Sequence, residues 1–196
     1  MIELPERPSP NGASPSLIDF GMILRPATGA AAGRIDRKGS RYRVGVSYPP
    51  MKVEVADVFV ARLLRAKSEG LRIPYPLLRS QGSPGSPVVD GAGQSGTTLN
   101  LRGLNPGYAI KEGFWLSIVD ASGQHYLHNV HTPVMVGAGG TATIGITPEL
   151  RVPFADGATV NLAVPMIEGF VVGNEWGWAI PVNRLIAIEF EMEEAG

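Results

Sequence analysis

Cysteine is absent from the 196 residues. That excludes disulfides, thiol nucleophiles and thiolate metal sites, and it leaves the redox compartment undetermined. Charge is scarce as well: Asp, Glu, Lys and Arg make up 18% of the chain, against about 25% in an ordinary soluble domain. The formal net charge is −1, so no global field draws the protein to nucleic acid or to an acidic membrane. No stretch approaches the ~18–20 apolar residues of a membrane span. The opening residues MIELPERPSPNGASPS have no apolar signal core, so the chain is expected to be soluble and not exported through a recognisable signal. A surface this poor in charge is expected to be partly covered by partners.

Glycine and proline are plentiful, at 25 and 17 residues. Together they form about a fifth of the chain, below the roughly 25–30% that marks disorder. Hydrophobic residues at 44% are enough for a real core, and the length suits one domain or one domain with an insertion.

Residues 1–16, with Pro5, Pro8, Pro10 and Pro15, read as an extended N-terminal arm. Residues 17–196 read as a single β-rich domain. LIDFGMIL (17–24) is a first strand candidate, RPATGAAAGRIDRKGS (25–40) a long loop, and RYRVGVS (41–47) an alternating strand. One amphipathic helix is expected over about residues 50–69. YPP sets its start, Val55, Phe59, Leu63 and Ala66 form its stripe beside Met51 and Val58, and Gly70 ends it. A Pro/Gly-rich link covers 73–87. Strands are then expected at 97–104, 114–119, 125–130, 141–147, 158–164, 169–172 and 184–193, with Asp120–Gln124 as a hairpin loop. The fold class is mainly β: an antiparallel β-sandwich or partly open barrel with one inserted helix. No internal repeat of 20–50 residues is present.

Gly91, Gly93 and Gly96 spell the G-x-G-x-x-G of a dinucleotide site. Such a site needs a strand before the glycines and a helix directly after, whose N–H groups hold the pyrophosphate. Val88–Val89 is a poor strand, and Thr97, Leu99 and Leu101 alternate in the β manner. Glu112 and Asp120, the acidic candidates for the ribose, end no second parallel strand. The motif reads as a glycine loop entering a strand.

The three histidines, His125, His128 and His131, lie in HYLHNVH. On a strand the first and third share a face and the second points away, so they read as exposed or hydrogen-bonded strand residues. No metal or cofactor is expected. GQSGT (93–97) misses the G-x-S-x-G elbow by one position. Glu189, Glu191 and Glu193 share one strand face and read as a solvated row that discourages edge pairing. No catalytic constellation emerges, and the chain is not expected to be an enzyme.

Two surface candidates remain. Arg34, Arg37, Lys38, Arg41 and Arg43 form a basic cluster, read as a subunit contact in preference to a nucleic-acid groove. Trp176 and Trp178, with Tyr126, form a candidate aromatic surface. It would serve a sugar-stacking platform or an interface anchor, while core packing near a turn is the plainer reading of the tryptophans.

The order of features resembles the small tail proteins of long-tailed bacteriophages, especially the distal tail proteins. The resemblance rests on GSRYRVGVSYPP, VEVADVFVARLLRA, PVVDGAGQSGTTLNLRGLNPGYAIKEGFWLSI, GQHYLHNV, GTATIGITPELR and IEFEMEEAG, and covers roughly residues 20–196. It implies a virion building block made in the host cytoplasm: a hexameric ring joining the tail tube to the hub or baseplate. The core would be a β-sandwich or barrel with a flanking helix, and long loops would reach neighbouring subunits. Implied partners are further copies of the chain, the tail tube protein, the hub/baseplate protein and the tape measure protein. Tube, tube-end and hub-adaptor positions stay open, and the family has no catalytic residues to carry across. The expected contacts are the basic loop, the 73–87 link and the N-terminal arm. The alternative reading is a carbohydrate-binding β-module that uses Trp176, Trp178 and Tyr126.

Overall fold

A computed structural model describes residues 1–35 and 37–195. In chain order, β1 (Ile2–Glu3), β2 (Gly12–Ile18), β3 (Met22–Leu24), β4 (Gly33–Ile35) and β5 (Arg41–Lys52) precede the helix α1 (Val53–Glu69). Then come β6 (Leu71–Pro74), β7 (Gly85–Val89), β8 (Gly96–Leu104), β9 (Ala109–Ile110), β10 (Trp115–Val119) and β11 (His125–Thr132). The chain closes with β12 (Val134–Met135), β13 (Ala142–Leu150), β14 (Val160–Asn161), β15 (Met166–Val171) and β16 (Leu185–Glu194). The molecule is mainly β with one helix, as its period-2 patterns predict.

One six-stranded sheet has the order β1-β6-β15-β16-β5-β2. Alternation along β5 sends Tyr42, Val44, Val46 and Tyr48 inward and Arg41, Arg43, Gly45 and Ser47 outward. The inner face takes α1, which buries Ala56, Phe59, Leu63 and Ala66. The helical period is the expected one, but the stripe is turned: Ala56 is buried, while Val55 and Val58 are exposed. The helix also starts three residues later than expected. Pro49 and Pro50 are extended and belong to β5, because the fixed φ of proline suits a strand as well as a helix start. Gly70 ends the helix at φ 79°, its N–H bonded to the Ala66 carbonyl. Residues 1–16 contribute β1, paired parallel to β6, and most of β2, paired antiparallel to β5.

The second six-stranded sheet has the order β14-β10-β11-β13-β8-β7 and curls into a nearly closed barrel. Its ends meet where Val89 N–H donates to Ala158 O and Gly157 N–H to Val89 O, both at 2.9 Å. Val88–Val89, expected as a poor strand, is therefore strand; a short run suffices when Val89 is buried in a barrel. The barrel has its own apolar core around Leu99, Leu101, Leu116, Ile118, Ile144 and Ile146.

The joint between the two cores combines apolar contacts, with Leu127 and Trp115 of the barrel packing into the sheet's core, and a set of polar bonds. Met166 N–H donates to Ser117 Oγ at 3.0 Å, and Arg72 spans from Glu168 (2.6 Å) to the Gly123 carbonyl (2.8 Å). The Gln81 amide acts as a one-residue strand substitute. It receives Trp115 N–H at 2.6 Å and donates to Trp115 O at 2.7 Å, and also to Leu162 O. Glu194, fully buried at the end of β16, accepts from Tyr42 N–H of the sheet (3.1 Å) and Leu127 N–H of the barrel (2.7 Å).

Candidate assembly surface

The connection from β2 to β5 is a protruding β3–β4 ribbon. Met22 pairs with Ile35, Ile23 with Arg34 and Leu24 with Gly33, and every residue of both strands is exposed. Its root is fastened. Asp19 accepts Gly21 N–H and an Arg34 guanidinium N–H, each at 2.8 Å. These bonds, the backbone one first, hold the Asp19 carboxyl below the usual carboxylate range. Ser40 Oγ reaches Asp19 at 3.3 Å and accepts Phe20 N–H at 3.3 Å. The Phe20 ring lies 5.1 Å from the Arg41 guanidinium carbon. Met22, Ile23, Leu24 and Ile35 nevertheless face solvent. An isolated two-stranded ribbon is marginal in water, and a contiguous exposed apolar patch marks an interaction surface.

A second exposed apolar group lies at the far end of the same sheet. Ile18 at the end of β2 pairs with Arg41 at the start of β5, whereas Leu185 of β16 pairs with Lys52 at its end. Trp178, Ile180, Val182 and Leu185, in the segment leading into β16, are exposed there. Trp176 is tethered by its indole N–H to the Glu189 carbonyl at 2.8 Å and stacks on Trp178 at 5.4 Å.

Three members of the expected basic cluster are paired with carboxylates within the chain. Arg34 pairs with Asp19 (2.8 Å), Arg41 with Glu193 (2.9 Å), and Arg43 with Glu193 (2.7 Å) and Glu191 (4.0 Å). Opposite charges on adjacent strands satisfy one another. Arg37 and Lys38 are exposed beside the ribbon. The row of Glu189, Glu191 and Glu193 does face outward, and its last two members are these partners.

Tyr126 leaves the candidate aromatic surface. It is 5% exposed, packed edge-on against Phe154 at 5.4 Å and covered by Arg151 at 5.0 Å. Only the Trp176–Trp178 pair of the expected three stands together.

The glycine motif is the turn between β7 and β8. Gly91, Gly93 and Gly96 have φ of 90°, 74° and 79°, where a side chain would be strained. Two of its amides are already used: Gly91 N–H goes to Asp156 and Gly93 N–H to Phe154 O. Gln94 folds back to bond Asp90 O, and Asn100 N–H bonds Gln94. No helix follows to receive a pyrophosphate.

Of the histidines, His125 and His128 are buried, because β11 lies between the two cores, with Leu127 in one and Tyr126 and Val130 in the other; His131 is exposed where the register shifts between Val130 and Thr132. Ser117 Oγ lies 3.3 Å from His125 Nδ1. With Ser117 fully buried and its oxygen accepting Met166 N–H, this pair braces the joint and presents no nucleophile to solvent. Among the described residues no three His, Asp or Glu side chains are grouped to hold a metal ion, and no helix is long and apolar enough to cross a membrane. No protein-family model matches the chain, and no curated protein matches it.

Proposed function

We propose that the chain is a structural subunit of a phage tail: the distal tail ring that joins the tail tube to the hub or baseplate, acting by assembly and without catalysis. The observation that carries this reading is the β3–β4 ribbon, fastened at its root and apolar where it meets water. A second apolar group at the opposite end of the sheet suits head-to-tail contacts, which close into rings when the rotation closes. The resemblance to distal tail proteins supplies the setting: copies of itself, the tube protein, the hub/baseplate protein and the tape measure protein, within the virion.

The test is an Ile23→Asp/Leu24→Asp double variant. Two buried apolar side chains contribute about 1.5–3 kcal/mol each, so association is expected to weaken at least ~100-fold. The melting temperature of the monomer should stay within about 2 °C, because both side chains are exposed in the isolated chain. Unchanged association by analytical ultracentrifugation would remove the ribbon from the interface.

A further inference from the structure

We propose that the groove beside Tyr75 and Trp115 is the seat for the β3–β4 ribbon of the next copy, an inference that rests on the assembly reading above. The groove encloses about 830 Å³ and is lined mainly by Pro10, Pro15, Tyr75, Leu77, Phe114 and Trp115. Its floor is rigid. Tyr75 packs on Trp115 at 4.3 Å, Tyr42 meets the same indole edge-on at 4.9 Å, and Arg79 covers Phe114 at 5.4 Å. Leu78 stands fully exposed on the rim. Beyond Pro76 the groove runs into a second hollow of about 480 Å³ that carries Glu3 and Glu6.

Placement singles out the ribbon as occupant. The groove follows the N-terminal half of β2, and the ribbon leaves β2 at its other end. β2 ends its sheet, with no strand on its outer side among the described residues. Seven residues of strand span roughly 23 Å, and the ribbon between residues 22 and 35 has a reach of the same order. A copy displaced along β2 therefore brings its ribbon to the groove of its neighbour. Ribbon and groove are different surfaces of one chain, so the contact can repeat head to tail, and it closes into a ring when the rotation between successive copies closes. Charge contributes through one carboxylate: Arg25, Arg37 and Lys38 lie on the ribbon and its root, and Glu6 lies at the receiving end, where Glu3 is already paired with Arg72 at 3.8 Å.

The absence of cysteine makes the test clean. Single-cysteine chains Ile23→Cys and Leu78→Cys, both at exposed positions, are mixed and mildly oxidised, with Val182→Cys as the competing acceptor. The expected result is a disulfide-linked pair of one Ile23→Cys chain and one Leu78→Cys chain as the main product. A link to Val182→Cys instead, or no link in a sample whose scattering mass still shows rings, would overturn the docking and leave the assembly reading standing. A sample that is monomeric at every concentration would overturn both.

Discussion

Replacing Glu194 with alanine is expected to lower the free energy of unfolding by about 3–5 kcal/mol, the range for breaking one partner out of a buried ion pair. Its side chain is 0% exposed and that of its partner Arg151 is 5% exposed. Burial pushes the Glu194 carboxyl above its ordinary pKa, with the neighbouring Arg151 guanidinium pulling the other way. The carboxylate also holds the amides of Tyr42 and Leu127, one from each core. Removing it strands a buried guanidinium and orphans two N–H groups. Arg151 already has Nε and Nη1 without partners, so little else in the joint can take up the charge. Glu194→Gln should cost less, because a neutral amide still accepts one of the bonds. By contrast, Glu69→Ala breaks only an exposed i,i+4 pair with Arg65 and should cost under about 0.5 kcal/mol. Urea denaturation checks all three. A loss below about 1 kcal/mol for Glu194→Ala would mean that the joint does not depend on this carboxylate.

Stability is also expected to fall steeply between pH 6.5 and 4. Burial, aided by nearby Arg72, lowers the pKa of His125 to about 4. Burial lowers that of His128 to about 3, against an opposing hydrogen bond to the Pro148 carbonyl. In the unfolded chain each returns to about 6.5. As pH drops below that value, the unfolded state takes up protons that the folded state refuses, so folding loses free energy. The stabilisation is full above about 6.5 and drains as pH approaches the folded pKa values. Two such groups give a slope of roughly 2.7 kcal/mol per pH unit in the middle of the window. Glu194 works in the opposite sense, since its raised pKa lets the folded state gain a proton first. Denaturation at pH 7, 6, 5 and 4.5 should show the slope, and His125→Asn should roughly halve it. A flat profile would contradict the buried neutral state of both rings.

Much of this fold is legible because its strands are half-buried and alternate. The helix, β8, β11, β13 and β16 follow directly from spacing. The hairpin at Asp120 follows from turn chemistry, with the Asp120 carboxylate accepting Ser122 and Gln124 N–H. Barrel closure is not legible, because β7 meets the β14 segment some 70 residues later through very short pairings. Glu194 carried a readable signal. The alternation that sends Glu193 outward sends Glu194 to the face of Met192, where a carboxylate needs a partner, although nothing local names Arg151. Tyr126 carried one too, since it shares parity with buried Val130. The in-chain partners of the basic cluster were not legible, because density in sequence says nothing of Glu193 and Asp19 across the sheet. Of the ribbon, β3 fell inside the strand expected at 17–24, whereas β4 hid in the small, polar stretch 25–40, its three residues too few to show a period.

The closed ring proposed for this chain is tested by the solution mass of the purified protein in light scattering, with negative-stain images of the same fraction. For a 20.8 kDa chain, a hexamer closed by head-to-tail contacts has a mass of roughly 125 kDa and a six-fold ring in projection. A two-fold dimer with the ribbon buried in a symmetric contact would contradict it.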